Sequence, residues 1–443
     1  MSTTSISSGS VGLLGKVEGD LGLAEGATVR AKDSNKVEVS GAVQFEGDCT
    51  FECSLTASAV KGKRGNITVE GDLMVDKAIR IQDGGLEVRG NLSAKEVEAD
   101  NRVSVEKDLA VESIEVGGRI WVGGKTAAKA IDVGGSFEAQ GDVLSEKLEA
   151  GGSAIVEGTT TTSSLRVGGS FKGNGKVKVD DVDVGGTFVA ESEVEIEELD
   201  VGGIAKVAGG FVRDQVDVGG SFESTKPLNF GSIDVGGKVV LAGGSVGEDI
   251  DVGGALKVEG ALRFEDIKVG GTVDISGDAG GETIEVGGRL VVKNNLTLAG
   301  ELDVGGTAEA GEILKAESVH VGGSLKARRI ETRDSIEVGG RIETAEGAKA
   351  STVKIGKRGR IVGPVVAEEV VLSERAEADN IYAGSLTMEE RSKANNVYAK
   401  NVYVERGCRI TGELQYTHEL RMEEEVNLAR EPKKTESLPS PPI

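Results

Sequence analysis

The stretch Leu199-Asp-Val-Gly-Gly-Ile-Ala205 returns as Val216-Asp-Val-Gly-Gly-Ser-Phe222 and again as Ile233-Asp-Val-Gly-Gly-Lys-Val239. Its valine falls at Val116, Val133, Val167, Val184, Val201, Val218, Val235, Val252, Val269 and Val286, with Ala150 in the one slot that lacks it, and every step is 17 residues. After one inserted residue the same step resumes at Val304, Val321, Val338 and Ile355. A register held over about 240 residues is the signature of one small structural unit repeated many times.

Two further columns run beside the valines. Two residues earlier stand Ile131, Leu148, Leu165, Val182, Leu199, Val216, Ile233, Ile250, Ile267, Ile284, Leu302, Val319, Ile336 and Val353, all aliphatic. Four residues later stand Ile120, Phe137, Ala154, Phe171, Phe188, Ala205, Phe222, Val239, Leu256, Val273, Leu290, Ala308, Leu325 and Ile342, again without a polar member. Apolar residues at spacing two, many of them β-branched, describe a strand with one face buried, and the residue between them, such as Asp132 or Asp183, faces solvent. The Gly-Gly pair then makes a bend, for which glycine suits both by reaching positive φ and by allowing close backbone approach. Gly134, Gly135, Gly185, Gly186, Gly219 and Gly220 are therefore read as structural corners.

A unit this short cannot hold a helical hairpin, which excludes ankyrin, tetratricopeptide and HEAT arrays. It fits one coil of a parallel β-helix, each coil pairing with the next at about 4.8 Å and stacking like residues down its interior. The expected fold is all-β: a right-handed parallel β-helix of about 17 residues per coil, with short disordered termini. Along the chain this predicts a flexible segment over 1–10, irregular coils over 11–115, the regular array over 116–355 and a set of terminal coils over 356–417. A helical cap is expected over 418–430, with Leu420, Met422, Val426 and Leu428 as its apolar residues, and a disordered Pro-rich tail over 431–443.

Composition agrees. Of 443 residues, 67 are Gly but only 6 are Pro, and aromatics make up 3%, so neither collagen nor a compact core of large rings is in view. The formal charge of −23 disfavours nucleic acid and anionic lipid as partners, both of which need clustered Lys and Arg. No run of 18 apolar residues or secretory leader is read from the sequence. The expected location is the cytoplasm, with membrane association left open.

Past Val353 the texture changes to Val353-Lys-Ile-Gly-Lys-Arg-Gly-Arg-Ile-Val-Gly-Pro-Val-Val-Ala-Glu-Glu-Val-Val-Leu372, then Ala378-Asp-Asn-Ile-Tyr-Ala-Gly-Ser-Leu386, then Asn396-Val-Tyr-Ala-Lys-Asn-Val-Tyr-Val404. This alternation resembles the bactofilins, polymer-forming cytoskeletal proteins built on a short right-handed β-helix. The resemblance covers Ile355 to Leu414 best, and the chain is several times longer than a bactofilin domain. It implies assembly end to end through terminal coils, without nucleotide or other cofactor, into a homopolymer that also meets other cytoskeletal or envelope-associated proteins. All four tyrosines, Tyr382, Tyr398, Tyr403 and Tyr416, lie in these last coils, which suits an interface. Tyr398, Tyr403, Ile410 and Leu414 are the expected self-assembly contacts. The alternatives are a non-polymerising β-helical scaffold that binds other proteins and, further off, a β-helix enzyme or surface fibre.

No catalytic constellation is read from the residues. The two histidines are His320, in the outward column that holds Asp132, Asp183, Asp200, Asp217, Asp234 and Asp251, and His418. No phosphate-binding Gly-x-x-x-x-Gly-Lys-Ser/Thr occurs. Cys49 and Cys53, in Cys49-Thr-Phe-Glu-Cys53, are read as small core residues, since about 13 Å separates them along a strand and no bridge spans that. The column Asp183, Asp200, Asp217, Asp234 and Asp251 is read as a hydrated acidic stripe, with bridging by divalent cations as the sharper alternative. The expectation is a structural protein with no enzyme activity and no metal site.

Overall fold

A computed structural model describes residues 3–443. Its secondary structure is all strand, with no helix among the described residues. Two compact units divide the chain, Met1–Gly220 and Ser221–Ile443, and each is a parallel β-solenoid of roughly 17 residues per coil.

One coil in the regular part of the first unit shows why the sequence folds this way. Val177–Val184 supplies two short faces, with Val177, Val179, Val182 and Val184 buried and Lys178 and Asp183 exposed. After the Gly185-Gly186 corner, Thr187–Ala190 makes the remaining face and buries Phe188 and Ala190. We call the run ending in Val184 the first face, that of Phe188 the second, and that of Val177–Val179 the third. Each pairs in parallel with its counterpart 17 residues on: Val182 with Leu199, Phe188 with Ala205, Val177 with Val194. Period-two patterning fixes which side chains enter the interior, and the 17-residue step puts like on like. All three apolar columns of the sequence are buried, from Val116, Ile120 and Ile131 to Ile342, Val353 and Ile355. Phe171 stacks on Phe188 with centroids 5.3 Å apart and planes 16° from parallel.

Toward the N-terminus the step loosens. Successive partners Leu21, Val43, Val60, Ile79 and Val97 are spaced by 22, 17, 19 and 18 residues. The extra residues go to bends between strands, and the buried columns survive. Between Glu377–Met388 and Lys393–Val404 the step tightens to 16, with Tyr382 on Tyr398 and Leu386 on Val402, and in the coil that follows it returns to 17 and 18.

Three expectations for the ends are corrected. Thr3–Ile6 is not a flexible segment but a strand on Asp20–Leu23, with Ile6 buried over Leu23; Met1 and Ser2 lie outside the described residues. The helical cap over 418–430 is strand. Leu414–Met422 places Leu420 and Met422 on Val402 and Val404, and Asn427–Leu428 places Leu428 on Ile410. The apolar pairs 420/422 and 426/428 are spaced by two, which is the strand period. In the expected disordered tail, Lys433–Lys434 pairs with Gln415 and Tyr416.

Candidate functional site

The last coil is where an interior comes to an end. Val402, Val404 and Ile410 are at most 2% exposed, whereas Leu420 and Leu428, which lie on Val402 and Ile410, are half-buried and Met422, on Val404, is 43% exposed. Val426 is half-buried between them. These side chains occupy the interior positions of a coil that has no coil above it. On the third face the same coil is completed by Lys433–Lys434, which pairs with Gln415–Tyr416 and carries charge where the other faces carry apolar residues, and the Lys434 ammonium lies 6.0 Å from the Tyr416 ring centroid.

Of the four expected contact residues, two are not at a surface. Ile410 and Leu414 are 1% and 2% exposed, because the chain runs one coil further than the sequence reading allowed and lays Asn427–Leu428 over Ile410. Tyr403 is exposed and donates a 2.9 Å hydrogen bond to the Glu423 carboxylate. Tyr398 is half-buried on the third face, its ring 5.0 Å from that of Tyr382. Burial raises the Tyr398 hydroxyl above its ordinary range, and the nearby Glu413 carboxylate adds to the shift.

The six corner glycines stand where expected, for one of the two reasons given. None of them has positive φ. Their function is close approach: a Cβ on Gly134 would lie 2.4 Å from the Gly117 carbonyl oxygen, and one on Gly186 2.6 Å from that of Gly169. The backbone ladder runs through the corner, with Gly185 N–H donating to Val167 and Thr187 N–H to Gly169.

His320 takes its outward place between Asp303 and Glu337 and is half-buried, its Nε2 without a hydrogen-bond partner. Asp183, Asp200 and Asp217 stack in register beyond Arg166 and Glu149. Burial raises the Asp200 carboxyl above its ordinary value, followed by repulsion from Asp217, Asp183 and Asp181. No group of three or more His, Cys, Asp or Glu side chains suited to a metal ion occurs among the described residues. Cys49, Cys53 and Cys408 are buried and free, and burial pushes each thiol up.

Two features of the corners escaped the sequence reading. At the corner that follows the second face, an Asp or Asn side chain accepts the backbone N–H of the next coil: Asp72 from Asn91, Asn91 from Asp108, Asp108 from Lys125, Asp142 from Thr159 and Asp278 from Asn295. The Gly-Asn-Leu and Lys-Asp-Leu steps near Leu92 and Leu109 carried that signal. In the last coils the Gly-Gly corner gives way to a turn with a left-handed residue, at Arg358, Arg375 and Arg391 with φ of 60° and at Gly407 with φ of 72°. Gly407 in that column was the visible clue.

At the other end of the chain, Val11–Leu14 is a strand on Thr28–Ala31 with Val11 and Leu13 turned to solvent. No helix among the described residues is long and apolar enough to cross a membrane. Comparisons with protein-family models, with curated proteins and with solved structures find no match to this chain.

Proposed function

We propose that this protein is a structural, polymer-forming scaffold whose copies join through a terminal coil, as the resemblance to bactofilins implies, in the cytoplasm and without nucleotide. The observation that carries the reading is the uncovered C-terminal coil. Leu420, Met422, Val426 and Leu428 present an apolar interior, half-buried to exposed, beside strands whose outer edge has no partner strand on any of the three faces. An open edge over an apolar floor is the arrangement that recruits another strand. The competing reading, a non-polymerising scaffold for other proteins, draws on the two exposed lysines of the Lys433–Lys434 strand at the third-face edge of the same end, since edge lysines discourage strand pairing.

Negative-stain electron microscopy of the purified chain at low and physiological salt tests this. Filaments of even width are expected, and Met422→Glu together with Leu428→Glu should abolish them by placing charge on the end face. Discrete particles from the unaltered chain at every concentration would favour the non-polymerising scaffold.

A further inference from the structure

The C-terminal segment follows a defined path. It leaves the top of the third face at Lys433–Lys434, and the Thr435 N–H donates to the Tyr416 carbonyl at 2.9 Å. Leu438 and Ile443 are half-buried. The far end rests against a corner several coils back: a Cβ on Gly347 would meet Ile443 Cδ1 at 2.8 Å, beside the backbone and ring of Pro364. Gly347, which lies on Arg329 of the preceding coil, belongs to a corner column that continues through Pro364, Asn380 and Asn396 to Glu413.

Length decides which way the segment travels. The Gly347 coil lies five coil steps from the Lys433–Lys434 strand, which spans about 24 Å, and the nine residues from Thr435 to Ile443 reach at most about 30 Å when extended. The bend at Glu436–Ser437 uses part of that slack. A route around the first and second faces is out of reach, so the segment crosses the third face. The outward residues there are Val366, Tyr382 and Tyr398, stacked in register, with an asparagine ladder alongside in which Asn396 Nδ2 donates to Asn380 Oδ1 at 2.8 Å.

The segment reads Thr435-Glu-Ser-Leu-Pro-Ser-Pro-Pro-Ile443. Proline-rich chain on a row of aromatic rings flanked by amide donors is a known recognition chemistry, because the proline-rich ligand loses little entropy on docking. We infer that the outer face formed by Val366, Tyr382 and Tyr398 is a docking groove for the Thr435–Ile443 segment, filled here by the chain's own tail and open to the same segment of a second copy. The connection to the body is short, so the tethered tail holds its seat against a free competitor at an effective concentration on the order of millimolar. The groove is independent of whether the end coils polymerise.

A fluorescent peptide of residues 435–443, carrying what a second copy would present, tests the groove by anisotropy. It should bind a chain ending at Lys434 saturably and bind the full chain at least ~10-fold more weakly. Tyr398→Ala in the shortened chain, or alanine at all three prolines of the peptide, should weaken binding by a similar factor. Equal binding to both chains, indifference to Tyr398→Ala, or no binding to the shortened chain overturns the proposal. A second measurement needs no truncation. With the native thiols buried, a nitroxide on Ser440→Cys in the full chain should be restrained, and freed when Tyr382→Ala and Tyr398→Ala are added. A freely mobile label in the otherwise unaltered chain also overturns it.

Discussion

A Cβ built on Gly185 would stand 2.4 Å from the carbonyl oxygen of Gly168, one coil earlier. The obstacle is backbone, which cannot swing aside as a side chain does, and the same approach recurs at Gly202 over Gly185 and at Gly219 over Gly202. Substituting Gly185→Ala should therefore force the coils apart at that corner, at a cost in the range of overpacked cores, about 1–3 kcal/mol. Because a solenoid couples mainly neighbouring coils, hydrogen exchange should report the loss around 168–202 while distant coils keep their protection. Uniform protection in the variant would refute the steric account.

The corner on the opposite side of the second face works by a different device. Asp108 Oδ1 accepts the Lys125 N–H at 2.8 Å, a bond to a charged acceptor. Asp108→Ala should cost roughly 1.5–3 kcal/mol, whereas Asp108→Asn keeps an acceptor oxygen and should cost less than half of that. Denaturant unfolding of the two variants side by side checks the ordering, and equal losses would mean that the charge, and not the acceptor, is what the corner uses.

These two corners show what the sequence made legible. The Val-Gly-Gly register was readable because a 17-residue period of apolar residues admits one kind of coil, and the buried positions from Ile131 to Ile355 followed from spacing alone. The Asp and Asn corner was hidden because its residues alternate with Lys and Gly and its bonds join coils rather than neighbours in sequence. The last coil was misread for a related reason. Leu420, Met422, Val426 and Leu428 are spaced in pairs that a helix also accepts loosely, and only their register on Val402, Val404 and Ile410 separates the two. The path of the tail over Tyr398 and Tyr382 depends on where Gly347 comes to lie, which no local pattern announces.

The left-handed arginines make a further prediction. Arg358, Arg375 and Arg391 each hold φ of 60°, a conformation that costs a non-glycine residue about 1–2 kcal/mol. Arg375 is exposed, and its ion pair with Glu374 at 3.4 Å is a surface one, worth little. Arg375→Gly relieves the backbone but adds freedom to the unfolded chain, which returns roughly 0.4–1 kcal/mol of the gain. The expected net effect is neutral to mildly stabilising, read as an unchanged or raised unfolding midpoint. A clear loss of stability would show that the arginine side chain holds something in place.

The aspartate stripe sets the pH response of its neighbourhood. Asp200 stacks between Asp183 and Asp217, and its carboxyl is raised above the ordinary value, first by burial and then by those neighbours and Asp181. A folded-state value above the unfolded one means the native state holds this proton more tightly, so the ionised carboxylate works against folding. That penalty is complete above the raised folded value, shrinks as pH falls through it, and is gone below the ordinary value. Asp200→Asn should therefore raise the unfolding midpoint at neutral pH, and the advantage over the unaltered chain should vanish in acid. Added salt should also narrow the gap at neutral pH, since it screens Asp217 and Asp183 from Asp200. Melting curves of both chains across this range decide the matter: a variant less stable at neutral pH would mean that Asp200 contributes more through its contacts than it loses through its charge, and an advantage that persists in acid would mean that the charge is not its source.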